Sequence, residues 1–170
     1  IMDNDKKIKL FISYSHEDPE DIDMLIKHLA PLKTKGMIDI WSDSKINAGQ
    51  EFQDEIDSKL EFSDIVCLLI SPNFLTSNAC LKEKEIAFEL KKKKGFLVVP
   101  IILTHCGWLD DGDLSKSLAL PTDGKEIASY SDKNEAWHIV YEGIKELVYQ
   151  EYKIREIEIS SAFQDFLTTT

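Results

Sequence analysis

The sequence predicts a doubly wound α/β domain, a parallel sheet with helices on both faces, and three observations carry that prediction. Ile65 to Ile70 and Phe96 to Leu103 are continuous apolar runs rather than alternating ones, the pattern of strands buried on both faces. Amphipathic stretches with helical spacing separate these runs, so strand and helix alternate along the chain. Turn chemistry such as the Ser71-Pro72 break and Gly95 stands at the boundaries between them.

Taken in order, the first strand is Ile8 to Ser13, and the polar SHEDPED after it puts Pro19 in the first turn of a helix running to about Thr34. Ile22, Leu25, Ile26, Leu29 and Leu32 lie on one face of that helix. A second strand, Met37 to Trp41, leads through SDSKINAGQ to a helix carrying Phe52, Ile56 and Leu60 at intervals of four. The third strand, Ile65 to Ile70, precedes a helix from about Ala79 to Lys94, with Gly95 as a C′ residue before the fourth strand. Beyond Trp108 the signal thins to a short helix at Leu114 to Leu118, an edge strand at Ile127 and a long helix from about Asp132 through Tyr149. The final IEISSAFQDFLTTT shows no complete element, so 151–170 reads as a linker or the start of a truncated following domain.

At 170 residues, 43% hydrophobic and 30% charged, the composition suits one well-buried domain. The formal charge of −11 argues against direct nucleic-acid binding, which needs clustered Lys and Arg to displace counterions. The one basic block, Lys91 to Lys94, reads as a helix C-terminal turn favoured by the macrodipole. Three cysteines, with Cys67 inside an apolar strand, read as reduced thiols and a cytoplasmic location. No apolar run approaches the roughly 20 residues that span a bilayer, so no membrane partner is expected.

Several chemistries lack their residues. The histidines are scattered, and no pair has zinc-ligand spacing. No G-x-G-x-x-G follows the first strand and no phosphate-binding G-x4-G-K-[ST] occurs, so no resident cofactor is expected. What remains is ordered. FISYS, Phe11 to Ser15, brings hydroxyls and an aromatic to the end of the first strand. WSDSKINAGQEF, Trp41 to Phe52, forms a loop long enough to act as a lid or contact arm. LLISPNFLTSNACLKEKEIAFEL, Leu68 to Leu90, places Glu83 and Glu85 in the first turns of a helix beyond a central strand, where open α/β sheets bind ligands.

Together with VVPIIL, CGWLD and LPTDGKEI before an Ala-Trp helix, these segments resemble the Toll/interleukin-1 receptor (TIR) domain family, bacterial type, over about residues 7–150. The resemblance implies a flavodoxin-like, five-stranded parallel sheet. It also implies one of two functional kinds: a scaffold that signals by TIR–TIR association, or an enzyme that cleaves NAD+ at the nicotinamide–ribose bond. The enzymatic kind depends on a glutamate early in the helix after the third strand. Breaking that bond generates an oxocarbenium-like ribose that an ionised carboxylate stabilises, and nicotinamide leaves neutral without a general acid.

Two residues compete for the role. Glu85 is followed by Ile86, as in the family pattern of Glu before an apolar residue, and is the preferred catalytic carboxylate; Glu83 stands three residues after Cys80, as in some plant members. Helical phase puts Glu83, not Glu85, in the stripe of Ala79, Ile86, Ala87 and Leu90. Tyr14, Ser15, Trp41, Asp43, Lys45, Ile46, Gly49 and Phe52 are the expected substrate-binding positions. Leu81 departs from the pattern, because many NAD+-cleaving members carry an aromatic there. The implied reading is an NAD+ glycohydrolase or cyclase, with NAD+ as substrate. It would be activated by homo-oligomer or filament assembly under a sensor domain or protein, as the NAD+-depleting effector of a bacterial defence protein. The alternative is a non-enzymatic TIR–TIR signalling scaffold.

Overall fold

The computed structural model describes residues 6–42 and 58–169, apart from the side chain of Asp123. Four parallel strands form the sheet: β1 (Ile8–Ser13), β2 (Ile38–Ser42), β3 (Ile65–Ile70) and β4 (Leu97–Ile102), in the order β2-β1-β3-β4. The helices are α1 (Pro19–Thr34), α2 (Pro72–Thr76), α3 (Asn78–Lys94) and α4 (Lys133–Thr168). Because β1 is flanked by β2 on one side and β3 on the other, the connection reverses direction between β1 and β3. That is the switch point at which open sheets of this kind leave a crevice beyond the strand C-termini.

Strand periodicity sorts the core into two layers. Leu10, Ile12, Cys67 and Leu69 pack under α1 and α4, against Leu25, Leu29, Trp137 and Ile144. Phe11, Val66, Leu68 and Ile70 face the other way, toward Phe74, Cys80, Ala87 and Phe88 of α2 and α3. Every residue of β3 is buried, which is why this strand reads as an unbroken apolar run.

Local chemistry sets the helix ends. Ser71 caps α2, its Oγ accepting from Phe74 N–H at 3.0 Å, and Ser77 caps α3 by accepting from Cys80 N–H at 3.2 Å. Gly95, at φ 74°, takes the left-handed conformation that ends α3, and its N–H reaches Lys91 C=O at 2.9 Å.

Four expectations are corrected. The sheet has four strands among the described residues, not five. Leu120 makes a single parallel bridge to β4, its N–H bonding Pro100 C=O and its C=O accepting from Ile102 N–H, both at 2.8 Å; the next residue, Pro121, has no N–H to continue a ladder. Ile127 is not an edge strand but opens the 3-10 turn Ile127–Ser129, tied to the top of the sheet by Ala128 N–H to Leu103 C=O at 2.9 Å. The C-terminal segment is not structureless. α4 continues unbroken to Thr168, and Leu114–Lys116 is a 3-10 turn rather than a helix.

α4 runs antiparallel to the strands, from the level of Leu103 down past their N-terminal ends. There Arg155 hydrogen-bonds Lys7 C=O at 3.1 Å and pairs with Asp64, which also accepts from Lys9 N–H at 2.7 Å. One side chain of α4 thereby clamps the starts of both β1 and β3.

Candidate functional site

The buried polar and charged residues, among those described, are Ser13, Ser15, Ser42, Ser71, Glu83 and Lys84. The four serines follow or end β1, β2 and β3, so they line the rim where the strands stop, and Glu83 stands on the helix that returns over it. Burying a hydroxyl or a carboxylate is unfavourable unless it is satisfied, so this concentration marks the rim as more than packing.

The loops after β1 and β3 are stitched across the switch point. Ser71 Oγ donates to Asp18 Oδ2 at 2.5 Å, and Asn73 Nδ2 donates to Asp18 Oδ1 at 2.9 Å. Asp18 thereby holds the Ser-Pro-Asn turn at a set height above the sheet. In the first turn of α1, burial and then the neighbouring charges of Asp18 and Glu20 push the Asp21 carboxyl up from 3.8 to about 6.

Structure separates the two candidate glutamates. Glu83 is 2% exposed on the inner face of α3 with Cys80, Ala87 and Phe88. Glu85 is exposed and lines a shallow surface hollow of about 470 Å³ with Lys82, Glu89, Lys92 and Lys93. Next to Glu83, Lys84 is buried against Asp111 in an ion pair, and Asp111 Oδ1 also accepts from Asp113 and Leu114 N–H at 3.0 Å. Burial raises the Asp111 carboxyl, but the Leu114 N–H, the Lys84 ammonium and the Asp113 N–H outweigh it and leave it below its ordinary value.

The other expected site residues divide. Ser15 Oγ accepts from Glu17 N–H at 3.2 Å, which shapes the turn into α1. Tyr14 is buried on the α1/α4 side, its ring 5.8 Å from that of His16. Trp41 stacks on Phe11, centroids 5.0 Å apart and planes at 24°, with Lys59 Nζ 5.7 Å above its ring. These contacts commit the indole to the α3 face below the rim. Asp43, Lys45, Ile46, Gly49 and Phe52 lie outside the described residues.

Ser13, one of the hydroxyls of FISYS, was not among the expected substrate-binding positions. It has the strand parity of Phe11, so it faces the α3 side, as Glu83 does, and its fully buried Oγ has no hydrogen-bond partner among the described residues. The signal was available: a serine ending an apolar strand at the switch point is a polar group placed where packing alone favours an apolar one. Leu81, at the position expected to carry an aromatic, is half-buried. No group of three or more metal-ligating side chains occurs among the described residues.

A parallel sheet ordered 2-1-3-4, with a polar rim at its switch point and a glutamate-bearing helix after the third strand, defines an open, doubly wound α/β domain. The family model for the TIR domain matches residues 10–138, and the chain belongs to that family. It is 37% identical over 138 residues to an uncharacterized protein, y4lF, of Sinorhizobium fredii (strain NBRC 101917 / NGR234), a match covering 81% of this chain and 42% of that protein. The chain therefore spans about two fifths of the length of that relative. Among solved structures it superposes on the TIR domains of the activated Roq1 resistosome, which directly recognizes the pathogen effector XopQ. That match has a TM-score of 0.61 and 17% identity, covering 81% of this chain and 99% of that one. The TIR domain of the Toll-related receptor TRR-2 from Hydra magnipapillata aligns at TM-score 0.47 and 23% identity over 61% of this chain and 78% of that one.

Proposed function

We propose that this TIR domain cleaves the nicotinamide–ribose bond of NAD+, and that Glu83 rather than Glu85 is the carboxylate that stabilises the developing ribosyl cation. The observation that carries the choice is burial. Glu83 is shut inside the rim on the side of the sheet that Ser13 faces, whereas Glu85 stands in water among lysines. A carboxylate held in a dry, fixed site stabilises positive charge far better than one facing solvent. Ser13 Oγ supplies a hydroxyl on the same side for a ribose oxygen.

The domain acts when clustered, as the NAD+-depleting effector of a bacterial cytoplasmic defence protein, and a sensor domain or partner supplies the trigger. Support for association comes from the family and from the fold likeness to TIR domains within a resistosome. A second reading, a scaffold that signals through TIR–TIR contact alone, is favoured by the lack of the aromatic that many enzymatic members carry one helical turn before the glutamate: Leu81 stands there relative to Glu85 and Ala79 relative to Glu83.

The test is nicotinamide release from NAD+ by concentrated or artificially clustered protein, beside Glu83→Gln and Glu85→Gln. Release abolished by Glu83→Gln and kept by Glu85→Gln is the expected result. The reverse pattern would return the role to Glu85, and a clustered wild type that releases nothing would leave the scaffold reading standing.

A further inference from the structure

α3 carries two charged residues side by side on its inner face. Glu83 and Lys84 are both buried there, among Cys80, Ala87 and Phe88. The apolar residues alone leave the turn of this helix open. At about 100° per residue, Ile86, Leu90, Ala87, Cys80, Phe88 and Leu81 spread over roughly 220° of the circumference, so a turn of some tens of degrees either way still covers the sheet. Glu83 and Lys84 stand about 50° to either side of the line through Cys80 and Ala87. A turn that brings one toward the middle of the face swings the other toward water.

What Lys84 meets is braced. Its ammonium pairs with Asp111, whose Oδ1 accepts from Asp113 and Leu114 N–H at 3.0 Å each. The Asp111 backbone is held as well, its N–H donating to Trp108 C=O at 3.1 Å and its C=O accepting from Ser115 N–H at 2.9 Å. Leu114 is fully buried, and Cys106 and Trp108 pack on the same core layer, which anchors this loop beyond the C-terminal end of β4. Stability is a poor reason to keep such a pair, because exchanging both partners of a buried ion pair for apolar side chains of similar volume is often neutral or better.

We infer that Lys84 and Asp111 are positioning residues: by tying α3 to the loop after β4 at one angular setting, they hold the neighbouring Glu83 carboxylate turned inward, on the side of the sheet that Ser13 faces. Their effect on catalysis rests on the NAD+-cleaving reading, whereas the aim of Glu83 does not. With Lys84→Met and Asp111→Ala together, Glu83 is the last charged group among the buried residues of α3, and its hydration turns the helix so that the carboxylate moves toward water.

Carboxyl labelling with a carbodiimide and glycine ethyl ester, read residue by residue by mass spectrometry on the 170-residue chain without NAD+, tests that aim. Glu85, exposed on the same helix, is the internal reference. In the wild type Glu83 should label at least about tenfold more slowly than Glu85, and in the double variant the two should come within about threefold. Cys80, on the middle line of the face, should stay closed to a thiol reagent in both, which shows that the helix turns without undocking. In clustered protein the double variant should lose about tenfold or more in kcat for nicotinamide release with KM held within about threefold, as a displaced carboxylate predicts and a lost binding contact does not. Glu83 still protected in the double variant, Cys80 opened along with it, or kcat unchanged would each overturn the inference. A clustered wild type that releases no nicotinamide would count against the NAD+ reading alone, and the labelling would then decide whether the pair aims Glu83.

Discussion

Replacing Asp111 by Ala strands the Lys84 ammonium inside the protein, and the cost can be worked from the geometry. The Lys84 side chain is 9% exposed and that of Asp111 21%. Removing one partner of a fully buried pair costs about 3–5 kcal/mol. Solvent at Asp111 relieves part of that, but the Asp113 and Leu114 N–H groups lose their acceptor too, so the expected loss is about 3 kcal/mol. In a domain of this size that lowers the melting midpoint by roughly 6–12 °C. Asp111→Ala combined with Lys84→Met, which removes the buried charge, should recover most of the loss. The carboxyl is held below 3.8 in the fold, so its contribution is complete above that value and is lost as pH falls through the lowered one. The gap between wild type and Asp111→Ala should thus be constant from about pH 5 to 8 and close only in stronger acid. Urea titrations followed by circular dichroism measure all of this. A single variant within about 0.5 kcal/mol of wild type, or a double variant no better than the single, would refute the reasoning.

Three further outcomes follow from the same geometry. Asp21, raised from 3.8 to about 6, binds its proton more tightly in the folded state, so ionisation weighs against the fold as pH climbs through that window. Asp21→Asn should therefore stabilise at pH 7 and change nothing near pH 4, by less than about 1 kcal/mol because the group is half exposed; thermal melts at both pH values check it. Ser71→Ala removes both the α2 cap and the bond to Asp18, and should cost about 1–2 kcal/mol by urea titration. Thiol labelling of the native chain should modify Cys106 alone, and slowly, because burial raises its pKa; Cys67, pushed to about 12, and buried Cys80 should react only on unfolding. Labelling of Cys67 in the native chain would contradict the packing of β3.

The four strands and the helices α1 and α3 were legible because each rests on a local pattern. Continuous Val, Ile and Leu can be satisfied only between two helical layers, and the α1 stripe at Ile22, Leu25, Leu29 and Leu32 is the buried set observed. The fifth strand was misread because Ile127 is apolar for a different reason: it plugs the core from a 3-10 turn. The end of α4 was missed because the sequence was read for elements that bury a face on their own domain, and residues 156 to 169 are all exposed. At the site, two signals pointed in opposite directions. The Glu-then-apolar motif favoured Glu85, while helical phase placed Glu83 on the inner stripe, and the buried face of α3 follows the phase. A motif records neighbours in sequence, whereas burial depends on the hundred-degree step between them.

The Arg155 clamp bears on which end of the domain is left for contacts. It fastens α4 to the N-terminal ends of β1 and β3, while Ser13, Ser71 and the turn of α3 crown the opposite ends. A helix tied down at the feet of the strands holds the sheet without covering its crown. Whatever meets the polar rim therefore meets a sheet already fixed from below, and loosening the clamp would loosen the two strands that carry Ser13 and Ser71.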